Sequence, residues 1–395
     1  MLPIIVTNNQ MNNTVNNPIF GVGFADIIDN WKWEDLIYAV ERVSREDVIR
    51  VLNKAREKKR LSPEDLAALL SHEASGLLEE MAIISKSFTE ERFGRTVSLY
   101  IPLYVSNACT NKCVYCGFNH DNPFERITLS QDEIREECEE IKKLGPFDNL
   151  LVVAGEYPSL SGVDYLEKTL TTCLDYFHNV TVEVMPMKTK DYKRLVDVGL
   201  YGVVCFQETY NRKAYKKYHP HGMKSHFEWR LNGFDRMGEA GVHKIGLGAL
   251  LGLEDWRAEI IMMGHHLRYL QKRYWKSRFS INFPRLCPSE SGFKPQFPVS
   301  DRDLLQIILA FRIFDPDIDI SISTREKPTL RDNLIPLGVT SLSAGSKTEP
   351  GGYKVHPEAL EQFSTTDSRS PQQVASAIID KNYYPVWKDW DKSLQ

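Results

Sequence analysis

The sequence predicts an α/β protein centred on a closed, TIM-type (β/α)8 barrel. Two observations carry this expectation. From residue 97 to residue 345, short apolar or β-branched runs alternate with amphipathic helical segments. Polar or charged residues also follow the runs, as they would if strand ends converged on one mouth. An open doubly wound sheet would need fewer strands and a G-x-G-x-x-G loop. "GLGALLG" (246–252) has the glycines without that spacing.

The elements can be taken in order. Residues 1–29 read as a polar N-terminal tail, with no basic n-region and an apolar run too short for a signal peptide. Residues 30–95 read as a helical extension, because "WEDLIYAVERV" and "PEDLAALLSHEASGLLEEM" space apolar residues by three and four. "LSPEDL" marks a helix start, with Ser62 as cap and Pro63 in the first turn. Residues 96–345 hold the barrel. Its strand candidates are "VSLYIPLYV", "NLLVVAGE", "VTVEVMP", "YGVVCFQE", "HKIGLGALLG", "RFSINFPR", "DIDISIST" and "VTSLSAG". Residues 346–395 are expected to form a C-terminal segment packed on the barrel.

Composition narrows the functional classes. The 395 residues are 42% hydrophobic and 26% charged, and their net charge of -4 gives no support to nucleic-acid binding. "KAREKKR" and "RKAYKK" read as solvated helix faces, the second leaving a docking surface for an acidic protein open. No apolar run approaches the ~18 residues needed to span a membrane. Seven cysteines, an odd number, argue against a disulfide framework and place the expectation in a reducing cytoplasm.

Chemistry concentrates in "NACTNKCVYCGFN", where Cys109, Cys113 and Cys116 fall within eight positions. Adding His120 would give a Cys3His zinc site, but one compact loop wraps a single ion poorly. Three thiolates on one loop suit three irons of a [4Fe-4S] cluster and leave the fourth iron open. The other strand-end groups are Glu156, Glu183, Gln207 with Glu208, Arg285, Arg325 and Ser343. His219 and His221, in "YHPHG", read as an ordinary turn rather than a metal pair.

The C-x3-C-x2-C motif after the first strand resembles that of the radical S-adenosylmethionine enzymes. "VVAGEYP" resembles their glycine-glycine-glutamate segment, with Ala154 in place of the first glycine. The resemblance implies one [4Fe-4S] cluster on Cys109, Cys113 and Cys116, with S-adenosylmethionine chelating the open iron. It places Tyr115 near the adenine, Ala154, Gly155 and Glu156 at the ligand amine, and Glu183 at the ribose. Gly155 is expected to allow close backbone approach to that amine. Arg230 has two readings, a contact to the ligand carboxylate or an ion pair on a helix surface.

"CVYCGF", "FQETYNRKAY", "NFPRLCP", "STREKP", "SAGSKTEPGGY" and "YPVWKDWD" together resemble the aromatic amino acid lyases, in particular the tyrosine lyases of thiamine biosynthesis. The likeness covers residues 20 to 391. It implies cleavage of the Cα–Cβ bond of L-tyrosine to dehydroglycine and p-cresol. Thiazole synthase would receive the product, and an electron donor such as flavodoxin or ferredoxin would serve the cluster. Arg325 and Ser343 would hold the substrate carboxylate, and Tyr104 would contact its amine. Gln207 and Arg285 would line the cavity or tie neighbouring strands. Three alternatives compete with this reading. A hydrogenase-maturation tyrosine lyase would need a second cluster, yet Cys287 is the last cysteine. A tryptophan lyase would carry a different cluster loop. A metal-stabilised scaffold without catalysis would not need Glu156 and Arg325 beside the cysteines.

Overall fold

The computed structural model describes residues 23–388, apart from 288 and 290. Nine parallel strands form one sheet: β1 Thr96–Ser106, β2 Asn149–Ala154, β3 Asn179–Glu183, β4 Gly202–Glu208, β5 Lys244–Ala249, β6 Arg278–Asn282, β7 Asp319–Ile322, β8 Ser341–Ser343 and β9 Tyr384–Val386. Strands β1 to β8 pair in sequence order, and β1 pairs with both β2 and β8, so the barrel closes. This is the barrel that the alternating pattern predicts.

Alternation along β1 shows how the sequence divides the two faces. Val97, Leu99, Ile101, Leu103 and Val105 are fully buried against the helical layer. Burying one such side chain stabilises by roughly 1.5–3 kcal/mol. Ser98, Tyr100, Pro102 and Tyr104 face the lumen instead. Asn149, Thr181, Ser280, Asn282 and Ser321 continue that polar lining on other strands. A barrel interior is usually filled by branched aliphatic side chains. Here polar residues leave a cavity of about 350 Å³. The lumen is therefore a site rather than a core.

The surrounding helices start where capping chemistry dictates. Ser130 and Ser300 each accept from the backbone three residues on, opening helices Gln131–Leu144 and Asp301–Phe314. Ser62 does the same for Pro63–Leu69. Helices Trp33–Glu41, Arg45–Arg56, Pro63–Leu69 and Leu78–Phe93 form a layer before the barrel, with Leu78–Phe93 against Asp301–Phe314.

Two boundaries differ from the sequence reading. The tail expected over 1–29 ends earlier, because residues 24–30 are helical and Phe24 is buried with its ring stacked 4.3 Å from His266. The rest of that expected tail, through residue 22, lies outside the described residues. The second is β9, which the sequence reading lacked. It pairs with the start of β1, Thr96 against Tyr384, at the base of the barrel. Residues 346–369 cross the opposite mouth without regular strands, tied down by Gln362 N–H to the Thr348 carbonyl at 3.1 Å and Thr366 N–H to the Thr324 carbonyl at 2.9 Å. Among the described residues, no helix is long and apolar enough to cross a membrane.

Candidate active site

The cysteine loop follows β1 directly and has no regular structure, so its carbonyls need other partners. Arg126 supplies them. Its guanidinium donates to the carbonyls of Asn107 and Phe118 at 3.0 Å and Asn119 at 2.7 Å, while resting on the Phe124 ring. A second anchor joins the loop to the end of β2. The Thr110 amide and hydroxyl both donate to the Glu156 carbonyl at 3.0 Å. Gly155 lies so close to the loop that a Cβ there would stand 3.0 Å from the Ala108 carbonyl carbon and 3.3 Å from the Cys109 Cβ. The close approach made by Gly155 in this structure is thus to the cysteine loop.

Cys109, Cys113 and Cys116 line one cavity together with Tyr115, Glu156, Lys224 and Arg230. Burial raises all three thiols, Cys116 to about 11, so a cationic centre held by them would have to displace their protons. Among the described residues, no group of three His, Cys, Asp or Glu side chains closes on a single ion. His120 is exposed, and its Nδ1 lies 3.2 Å from the Cys109 carbonyl rather than in the cavity. Three thiols spaced around an open cavity suit a multi-iron cluster, and the neighbouring polar groups suit a zwitterionic ligand on it.

Those polar groups are already organised. Glu156 receives an ion pair from Arg230 and a hydrogen bond from the Asn111 amide at 2.8 Å. Burial pushes the Glu156 carboxyl up, but Arg230, Lys224 and Asn111 outweigh it and hold the group below the usual carboxylate range. Arg230 is itself buried and also donates to the Phe206 carbonyl at 3.2 Å. The helix-surface reading of Arg230 is therefore wrong. It is an interior cation at the cavity wall.

Glu208 ends β4 at φ 71°, where the β4–β5 register slips between Phe206 and Glu208. A left-handed glutamate costs about 1–3 kcal/mol, and such strain collects at functional sites. Here it aims the carboxylate at Lys224, 2.6 Å away, and both side chains line the cavity. Tyr115 is held from behind by His219, its hydroxyl 2.9 Å from Nε2. Nδ1 of His219 faces the Tyr215 carbonyl at 2.9 Å, so Nδ1 carries the proton and Nε2 accepts from Tyr115. His219 is fully buried and orients that ring, whereas His221 remains exposed as a turn residue.

The lumen adjoins this cavity; Val153, Glu183, Phe206, Arg325 and Phe363 line both. Arg325 enters from the loop after β7 and lies over the Phe363 ring. Among the described residues no carboxylate is bonded to its guanidinium. Ser343, on β8, accepts from the Thr324 amide at 3.1 Å and lines the lumen. Tyr104, at the top of β1, packs edge-on to Phe118 and donates to Gln362 at 2.9 Å. Glu183 stands between the cavities, where burial raises its carboxyl to about 7 despite the pull of Arg325.

Two expected residues stand elsewhere. Arg285 is bonded to Glu326 at 2.9 Å, to Asp301 at 2.8 Å and to the Val299 carbonyl at 3.0 Å, and it lines neither cavity. It ties the loops after β6 and β7. Gln207 is fully buried and also lines neither cavity, since its strand neighbours Phe206 and Glu208 take the inward positions. The sequence reading lacked Asn111, Arg126, Lys224, Gln362 and Phe363. Only Asn111 and Lys224 carried a signal, by lying beside the cysteines and in the "RKAYKKYHPHGMK" run.

Comparison with known proteins agrees with this geometry. Residues 103–263 match the Radical SAM superfamily, and residues 281–384 match the Biotin and Thiamin Synthesis associated domain. Fold and thiol triad therefore define a radical S-adenosylmethionine enzyme, which works with a [4Fe-4S] cluster and S-adenosylmethionine. The chain is 46% identical to 2-iminoacetate synthase of Salmonella typhimurium, over 93% of its own length and 97% of that protein. It is 44% identical to the Escherichia coli enzyme of the same name, over 93% and 97%. The chain belongs to the 2-iminoacetate synthase family. Among solved structures, that of HydG, a maturase of the FeFe-hydrogenase, is 34% identical with a TM-score of 0.87, covering 92% of this chain and 81% of HydG.

Proposed function

We propose that this chain is a radical lyase that cleaves the Cα–Cβ bond of L-tyrosine to 2-iminoacetate and p-cresol. The observation that carries the substrate assignment is Arg325, a guanidinium at the junction of the two cavities with no carboxylate bonded to it among the described residues. Such a cation suits an amino acid carboxylate, which its planar fork can hold with two hydrogen bonds. Ser343 accepts from the Thr324 amide and shares a side-chain hydrogen bond with Tyr100, and its hydroxyl would turn to the substrate carboxylate on binding. Tyr104 lines the lumen and would meet the substrate amine, and Tyr100, Ser280 and Asn282 would offer partners for a phenol hydroxyl.

When bound, the cluster and S-adenosylmethionine would supply radical hydrogen-atom abstraction chemistry at the substrate amine. The residues that would hold this cofactor pair are Cys109, Cys113 and Cys116 for iron, with Tyr115, Ala154, Gly155, Glu156, Glu183, Glu208, Lys224 and Arg230 around the ligand. The chain's own work is to hold the carboxylate at Arg325, fix the amine beside Tyr104 and keep water from the cavity between. Thiazole synthase as recipient and a flavodoxin- or ferredoxin-type donor complete the reading. Anaerobic incubation of reconstituted protein with reductant, S-adenosylmethionine and tyrosine tests it. Formation of p-cresol, with glyoxylate from hydrolysed 2-iminoacetate, is the expected result. Turnover of tryptophan with tyrosine untouched would overturn it.

A further inference from the structure

Gln362 touches the two halves of the site at once. Its Oε1 accepts from the Tyr104 hydroxyl at 2.9 Å, and its Nε2 points at the Cys116 sulfur 3.9 Å away. That sulfur stands for the thiolate that would bind iron. The main chain leaves Gln362 little freedom. Its N–H is bonded to Thr348, and a Cβ on Gly117 would come 2.5 Å from its carbonyl oxygen. The residue after Cys116 must therefore stay small for Gln362 to sit where it does. Phe363, the next residue, lies beneath Arg325.

The polarity of this contact is fixed by chemistry. An iron-bound thiolate only accepts, so the amide must present Nε2 to it and Oε1 to Tyr104. Tyr104 must then donate its proton to Gln362. Its oxygen lone pairs are left facing the lumen, where they accept from a substrate N–H. A flipped amide would set Oε1 against the thiolate and is excluded by repulsion.

We propose that Gln362 is a positioning residue that links substrate amine and cluster through one chain of hydrogen bonds, from Tyr104 to the Cys116 thiolate. A donor on a cluster thiolate raises the reduction potential, because it stabilises the more electron-rich state. Tyrosine bound at Tyr104 strengthens the Tyr104–Gln362 bond, and the polarised amide then donates more strongly to Cys116. Substrate occupancy is thereby reported to the cluster. This second half rests on the tyrosine-lyase reading, whereas the Gln362–Cys116 bond does not.

Potentiometric titration of the reconstituted cluster, followed by electron paramagnetic resonance, tests the two halves separately. Gln362→Met keeps the volume and removes the donor. Its cluster is expected at a more negative midpoint than wild type without tyrosine, with iron content and thermal unfolding unchanged. In wild type, tyrosine should shift the midpoint upward, and in Tyr104→Phe that response should vanish, with the substrate-free midpoint lowered by less than in Gln362→Met. An unchanged substrate-free midpoint in folded, iron-replete Gln362→Met overturns the proposal. Should that variant lose its cluster, the Tyr104→Phe arm decides, and a full tyrosine response there also overturns it. A lowered midpoint in Gln362→Met with no p-cresol from wild type would instead count against the lyase reading alone.

Discussion

The central carbon of the Arg325 guanidinium lies 3.3 Å from the centroid of the Phe363 ring. The ring holds the fork in place without neutralising it, so the charge remains for a ligand. If the tyrosine carboxylate fills that role in a dry cavity, truncating its partner costs ~2–5 kcal/mol. Arg325→Ala should therefore weaken tyrosine binding by roughly thirty- to several-thousandfold while iron content is kept. Arg325→Lys should restore only part, because one ammonium does not reproduce two parallel contacts. Tyrosine titration of both variants on anaerobic, iron-replete samples checks this, and normal affinity in folded Arg325→Ala would remove the residue from the site.

Phe363 should show a smaller effect of the same kind. Phe363→Leu keeps an apolar neighbour but loses the ring face, worth about 0.5–2 kcal/mol. Tyrosine affinity should fall by roughly two- to thirtyfold, with cluster content unchanged. An effect as large as that of Arg325→Ala would mean that the ring contacts the substrate itself.

Replacing Cys109, Cys113 or Cys116 with alanine should abolish the cluster, because each is one of the three thiols that the loop after β1 brings to the cavity. Cys138 and Cys173 lie between helices, with their sulfurs 3.9 Å apart, and their replacement should leave iron content intact. Cys287 is a sharper test because it too lines the cavity. Its alanine variant should retain the cluster, and loss of iron there would make it a ligand.

Gly155→Ala separates backbone packing from ligand contact. Since the new methyl meets the Ala108 main chain and Cys109, it should displace the cysteine loop and lower iron incorporation. Full iron loading with weakened S-adenosylmethionine binding would instead show that the glycine serves the ligand.

Local chemistry explains what could be read from the sequence. The eight barrel strands were legible because each outward face carries buried aliphatics, as Val97, Leu99 and Ile101 do on β1. The cysteine triad was legible because its spacing lies within one loop. Gln362 and Phe363 were not, since they reach the site from a segment without regular structure, across more than two hundred positions from Tyr104 and Cys116. Gln207 misled for a related reason. It stands at a strand end beside Glu208, but strand alternation turns Phe206 and Glu208 inward and Gln207 away from both cavities, so position at a strand end alone does not tell inward from outward. β9 was missed because three residues pairing at the barrel base carry no alternation of their own.

Glu183 gives the pH dependence. Burial raises its carboxyl from 4.5 to about 7, with Arg325 opposing. Between those values the folded protein binds a proton that the unfolded chain releases, so stability is fullest below about 4.5 and falls as pH rises through about 7. The loss from this group is at most about 3 kcal/mol. Glu183→Gln carries no titrating proton and should lose less stability over the same range. Ligand binding should follow the same charge. An ionised Glu183 draws on Arg325 and repels a carboxylate, so wild-type tyrosine affinity should decline as pH rises through 7, while that of Glu183→Gln stays level. Denaturation curves and tyrosine titrations at pH 6 and pH 8 on both proteins read the two effects. Parallel pH profiles for the two proteins would show that the titrating group lies elsewhere.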